Sequence, residues 1–148
     1  MNVKVRIKKL RPGAKIPQYA TAGSAAADLY CASDEPISIP PGETRFIPTG
    51  ISVSPEEEGV ASFVYARSGL ASKLGIAPAN CVGVIDGDYR GEIIVALRNS
   101  SDKTYTVTPG DRIAQLLFAP VLTAEFIEAD ELDDTARGSG GFGSTGIG

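Results

Sequence analysis

Val3, Val5 and Ile7 alternate with Lys4, Arg6 and Lys8, the period-two signature of a strand with one buried face and one wet face. The basic face reads as a solvated surface rather than a phosphate contact. Short β-branched or aromatic runs recur downstream, at residues 37–39, 45–47, 50–53, 60–65, 82–85, 92–97, 105–107, 113–118 and 121–127. Turn residues punctuate them, among them Pro41-Gly42 and Pro109-Gly110. So many short strands predict an all-β domain built as a sandwich, jelly roll or small barrel. One short helix is predicted over residues 69–74, with Ser68 as its N-cap and Gly75 as its stop. A β-hairpin is predicted from residues 82–86 and 89–97 around a turn at Gly87-Asp88.

The pattern changes near the C-terminus. Glu125, Glu128, Asp130, Glu131, Asp133 and Asp134 make an acidic connector that holds no basic residue. Arg137-Gly138-Ser139-Gly140-Gly141-Phe142-Gly143-Ser144-Thr145-Gly146 follows. Such a stretch cannot bury a core and is expected to be mobile when alone. The predicted division is a β-domain over 1–129 and a connector with a glycine-rich arm over 130–148. Many glycine-rich ends are frayed tails, but an Arg and a Phe among glycines offer a phosphate fork and a flat stacking face.

Composition narrows the chemistry. The 148 residues contain no His, which excludes Ser-His and Cys-His dyads, two-His zinc sites and any imidazole base. A general base must then be a carboxylate, or else a Lys, Tyr or Cys. Cys31 and Cys81 are too far apart for a CxxC motif, and reduced thiols in a cytosolic protein are expected over a single disulfide. The first residues carry no apolar leader core, and no apolar run is long enough for a membrane span, so neither secretion nor a membrane partner is expected. A net charge of −4 argues against a nucleic-acid partner.

Three patterns are decoys. Gly138 to Gly143 satisfies GxGxxG without a following helix, so a dinucleotide fold is excluded. Asp86-Gly87-Asp88 opens like a calcium loop, but the fifth position is Arg90 and the twelfth Leu97. Asn99-Ser100-Ser101 is a formal glycosylation sequon that reads as a polar turn.

Four segments combine polar residues and glycine in ways that core packing does not need. Ala27-Asp28-Leu29 sets one carboxylate among small and apolar neighbours. Arg67-Ser68-Gly69-Leu70-Ala71 places a guanidinium, a hydroxyl and a free N–H at a helix start, where an anion is favoured. Residues 80–92 hold Asn80, Asp86, Asp88 and Tyr89. Arg112-Ile113-Ala114-Gln115 follows a turn. Each is weak alone.

Together with the arm, these blocks resemble the five ordered motifs of the deoxyuridine triphosphatase (dUTPase) family, from about Thr21 to Gly146. The resemblance implies a homotrimer of jelly-roll-like or distorted-barrel subunits with shared active sites, hydrolysing dUTP to dUMP and pyrophosphate with Mg²⁺. It implies Asp86 as the base that activates water, and Asn80 with the backbone of Val84 and Ile85 as readers of uracil. Tyr89 would lie beneath the deoxyribose, with Ile94 nearby. Arg67, Ser68, Gly69 and Gln115 would bind phosphates, and Asp28 would hold the metal through water. Arg137 would stabilise phosphate charge as an arginine finger, and Phe142, with Gly143 beside it, would stack on the base. Arg112 reads as a brace. Ala66 stands where the family commonly has Pro, and Ala26-Ala27 where it has a glycine-bearing pair; neither change removes a functional group. Two other readings stay open on the residues: a dCTP deaminase-like enzyme, for which no signature block is present, and a catalytically silent nucleotide-binding β-module.

Overall fold

A computed structural model describes residues 2–141. Its strands are β1 (Val5–Lys9), β2 (Ala27–Tyr30), β3 (Ile37–Ile39), β4 (Thr44–Pro48), β5 (Ile51–Pro55), β6 (Val60–Tyr65), β7 (Ile76–Pro78), β8 (Gly83–Ile85), β9 (Ile94–Asn99), β10 (Tyr105–Val107) and β11 (Arg112–Pro120), with one helix, α1 (Ser68–Leu74). They pair antiparallel in four small sheets ordered β1-β5, β10-β3, β2-β11-β6-β8 and β4-β9-β7. Leu29, Ile39, Ile47, Ile51, Leu97 and Leu116 come from all four sheets and meet in one buried cluster. That shared core turns four short sheets into the jelly-roll-like β fold expected.

The alternation in β1 is as predicted, with Val5 and Ile7 half-buried against β5 and the basic face in solvent, where Arg6 pairs with Glu56 at 3.1 Å. β2 escaped the pattern because Ala27, Asp28 and Leu29 are all buried, and a strand covered on both faces shows no alternation. Three-residue β7 is too short to show a period. Residues 121–127, expected as a strand, form none; Leu122, Phe126 and Ile127 are almost fully exposed. A β-prone run becomes a strand only with a ladder partner, and this one has none among the described residues.

Helix α1 starts one residue earlier than predicted. Arg67, not Ser68, is the N-cap residue, with extended φ −83° and ψ 126° and no side-chain cap bond, so the Ser68 hydroxyl is not spent on the helix. Gly75 ends the helix as expected, at φ 67°, and a Cβ there would lie 3.1 Å from the Ser101 nitrogen. Asn99 is a second correction. The sequon asparagine is completely buried, its Nδ2 donating to the carbonyls of Ile39 (2.8 Å) and Lys103 (2.7 Å) while its Oδ1 accepts from the Ser101 N–H (2.9 Å) and Oγ (2.8 Å). It ties the β9–β10 turn to β3 and is out of reach of any glycosylating enzyme.

The predicted hairpin is only half right. The turn forms, with the Tyr89 N–H donating to the Asp86 carbonyl at 3.1 Å. Its two arms do not pair with each other: β8 pairs with β6, and β9 runs between β4 and β7. The chain crosses from one sheet to another through residues 86–93 and leaves a gap behind it.

Candidate active site

That gap is a cleft of about 360 Å³, and Asn80, Val84, Ile85, Asp86, Tyr89 and Ile94, all chosen from the sequence, line it. Because β8 ends its sheet and β9 has turned away, one edge of β8 is left unpaired along the cleft. Backbone N–H and C=O groups on such an edge are free to pair with a flat polar molecule. A closed hairpin would have spent them on its own ladder. The Asp86 carboxylate is exposed at the rim, and among the described residues no hydrogen bond or ion pair engages it. Gly87 after it packs so closely that a Cβ would lie 2.7 Å from the Val60 carbonyl oxygen. Arg90 braces the turn by donating from Nη1 to the carbonyls of Gly87 (2.8 Å) and Tyr89 (2.9 Å).

A second cluster forms at the other end of the same sheet. Asp28, Gln115 and Tyr65 stand in register across β2, β11 and β6. Asp28 is buried, 5% exposed, yet both oxygens are paired: Oδ1 accepts from Arg67 Nε at 2.9 Å, and Oδ2 from Arg112 Nη1 at 3.2 Å. One carboxylate thus joins three of the sequence blocks, and Arg112 is the brace it was expected to be. Arg67 still has its Nη2 hydrogens to offer, with Ser68 and Gly69 exposed beside it.

These two clusters do not meet. Asp86 follows Ile85, whose partner in β6 is Ser62, so it stands level with Ala61. Arg67 comes six residues later, and at ~3.3 Å per residue about 20 Å separates the two levels. Arg137 is farther from either set in kind: it is exposed beyond the last strand, and its Nε donates to the Gly140 carbonyl at 2.9 Å. Phe142 and Gly143 lie outside the described residues.

Sequence reasoning missed four participants. Phe46 and Glu92 also line the cleft, Phe46 with 73% of its surface exposed. The two-residue period around buried Ile47 was the available signal, since it turns Phe46 outward. Arg11 donates to both oxygens of Glu92, at 3.0 and 3.2 Å, and the hydrogen bond and charge of Glu92 hold its guanidinium above the usual pKa. Arg11 is 81 positions from Glu92, and Arg90 bonds only to carbonyls; no local pattern marks either.

The metal chemistry of the donor set can be tested on Asp28. Each of its oxygens has accepted one guanidinium hydrogen and keeps room for another bond. Among the described residues no three His, Cys, Asp or Glu side chains gather as a cage. The acceptor room left on Asp28 is compatible with holding a hard cation such as Mg²⁺ through its waters.

The family model described as dUTPase matches residues 13–146. The deoxyuridine 5'-triphosphate nucleotidohydrolase of Desulfitobacterium hafniense is 53% identical over 148 residues, covering 99% of this chain and 98% of its own. That of Shewanella woodyi is 47% identical over 146 residues, covering 97% and 96%. Among solved structures, the Staphylococcus bacteriophage 80alpha dUTPase with dUPNHPP superposes with a TM-score of 0.88 at 26% identity, over 97% of this chain and 99% of that one. A variant dUTPase of phage phi11 of S. aureus, whose structure concerns the coordination of a structural Mg(II) ion, superposes at 0.77 and 25% identity, over 86% and 97%.

Proposed function

The chain belongs to the dUTPase family and is a hydrolase of dUTP, and from that premise we propose that each of its active sites is assembled from more than one subunit of a homotrimer. The observation that carries this is the placement of Asp86 and Arg67 along β6: Asp86 falls level with Ala61 and Arg67 six residues on, backbone levels about 20 Å apart at ~3.3 Å per residue. A base and its attacking water must sit within ~3–3.5 Å of the reacting phosphorus, with the phosphate-holding groups close around the same triphosphate. Halves at opposite ends of one sheet therefore favour a site assembled from more than one chain. A neighbour's phosphate cluster facing this chain's cleft satisfies both.

In that arrangement the cleft takes the nucleoside. The open edge of β8 at Val84 and Ile85, with Asn80, pairs with the uracil edge, and a cytosine presents mismatched donors and acceptors. Tyr89 lies under the deoxyribose and leaves no room for a 2′-hydroxyl, with Ile94 on the same wall. The Asp86 carboxylate takes a proton from a water that attacks phosphorus, and pyrophosphate leaves as dUMP forms. The neighbour's Arg67, Ser68, Gly69 and Gln115 hold the phosphates. Asp28, fixed by two arginines, would hold Mg²⁺ through its waters. When bound, that ion neutralises charge on the phosphate oxygens. Residues 1–129 carry these groups. Residues 130–148 cross to another site, where Arg137 stabilises developing charge and Phe142, with Gly143 beside it, closes over the base.

The exposed run after Val121 supports that crossing, since Leu122, Phe126 and Ile127 leave the subunit without packing on it. Two free cysteines fit a reducing, cytosolic setting, and among the described residues no helix is long and apolar enough to cross a membrane. Pyrophosphate release from dUTP, measured beside dTTP, dCTP and UTP, tests the reading. Selective release from dUTP is expected; ammonia from dCTP, or no turnover of any of the four, overturns it.

A further inference from the structure

The Arg11–Glu92 ion pair joins three segments that are distant in sequence. Glu92 accepts Arg11 Nε at 3.0 Å and Nη2 at 3.2 Å, and its Oε1 also accepts the Gly50 N–H at 2.8 Å. The Leu10 N–H donates to the Gly50 carbonyl at 2.7 Å, so the end of β1, the β4–β5 turn and the cleft loop are knotted at one point. The Glu92 side chain is 17% exposed, with three donors aimed at it.

The backbone of the same residue holds Tyr89. The Tyr89 hydroxyl donates to the Glu92 carbonyl at 3.2 Å, and the ring folds back over Gly91, where any Cβ would collide with it. The rest of the loop is pinned too, by Ser52 Oγ donating to the Arg90 carbonyl at 2.7 Å and Thr49 Oγ1 to the Ile93 carbonyl at 2.6 Å. Those two bonds, with the Thr49 N–H on the Ile93 carbonyl (3.2 Å) and the Ile93 N–H on the Ile51 carbonyl (2.9 Å), fix residue 90 and the 92–93 peptide. Glu92, the residue that accepts from the tyrosine, depends for its own side-chain anchor on Arg11 and Gly50.

We propose that Arg11 and Glu92 are positioning residues for Tyr89, and that through it their ion pair sets how strongly the enzyme prefers a deoxyribose nucleotide over a ribose one. This rests on the reading of Tyr89 as the side chain beneath the sugar. Exclusion of a hydroxyl is a steric discrimination, and it survives only if the ring cannot retreat. A ring free to slide by an ångström opens space for the extra oxygen at little cost to dUTP itself. The expected signature is therefore a gain for UTP more than a loss for dUTP.

The test measures kcat and KM for dUTP and UTP in the full-length wild-type enzyme, Arg11→Ala, Glu92→Gln and Tyr89→Ala, with thermal denaturation of each. Arg11→Ala and Glu92→Gln are expected to lower the dUTP/UTP ratio of kcat/KM by about tenfold, mainly through a lower KM for UTP. Glu92→Gln keeps an acceptor for the Gly50 N–H and reads the same ratio if Arg11→Ala fails to fold. In a Tyr89→Ala background neither substitution should change the ratio further. A wild-type ratio in folded Glu92→Gln, or a drop in thermal stability with the ratio unmoved, overturns the inference. A wild-type ratio in Tyr89→Ala overturns instead the placement of Tyr89 under the sugar.

Discussion

The proposed sharing of active sites makes a quantitative prediction about mixtures of inactive chains. Asp86→Asn removes the base and should lower turnover by about 10²–10⁴-fold while substrate still binds. Arg67→Gln removes the guanidinium from the phosphates but keeps an amide donor toward Asp28, whose other oxygen stays on Arg112, so the buried carboxylate is not abandoned. In the proposed arrangement a complete site needs an intact Asp86 from one subunit and an intact Arg67 from its neighbour. In a cyclic trimer containing both variants, one of the three neighbour pairs meets that condition in the right order, whichever variant supplies two subunits. Mixed trimers should then recover about one third of wild-type turnover. Co-expression with two different affinity tags, sequential purification on both and pyrophosphate release per subunit measure this directly. Activity no higher than that of the two parents would refute the sharing of Asp86 and Arg67 between chains, since sites complete within one chain stay broken in every mixture.

Three further predictions follow from single features. Truncation before Arg137 should abolish most turnover and leave the melting temperature within error of the full chain, because residues 121–139 are exposed throughout; a clear loss of stability in calorimetry would show that they pack. Asn99→Ala should destabilise by about 2–4 kcal/mol in urea unfolding, since two carbonyls and the Ser101 N–H and hydroxyl lose buried partners at once, and a change below ~1 kcal/mol would contradict the knot. Burial, and then the negative charge of Asp111, push the Tyr105 phenol above its ordinary 10.0, against a smaller opposing pull from Arg67. The folded state therefore holds that proton more tightly than the unfolded one. Its contribution is fully present below pH 10 and is lost as pH rises through the folded value, so stability should fall less steeply above pH 10 in Tyr105→Phe than in wild type, measured by denaturant midpoint.

Much of the fold was legible from the period of two, and the reason is local. Ile47 and Leu97 alternate with Phe46 and Ala96 because a pleated strand turns successive side chains to opposite faces, whatever its neighbour. β2 stayed hidden because burial on both faces erases that rhythm, and residues 121–127 misled because strand propensity says nothing of whether a partner is present. Asn99 looked like a surface turn since a buried amide is recognisable only by the carbonyls that close on it.

The candidate site divides the same way. The chain's composition alone, lacking His, required a base of another kind; Asp86 as that base and Arg67 in a phosphate set are what the resemblance to dUTPases implies. Residue type and order are carried in full by a linear string. Tertiary structure alone decided that β8 and β9 part to open the cleft, that Asp28 is locked between Arg67 and Arg112, and that Asp86 and Arg67 fall toward opposite ends of one sheet. Strand pairing is a choice among distant partners made by the packing of the whole core, and alternation along one strand cannot encode which neighbour it will take.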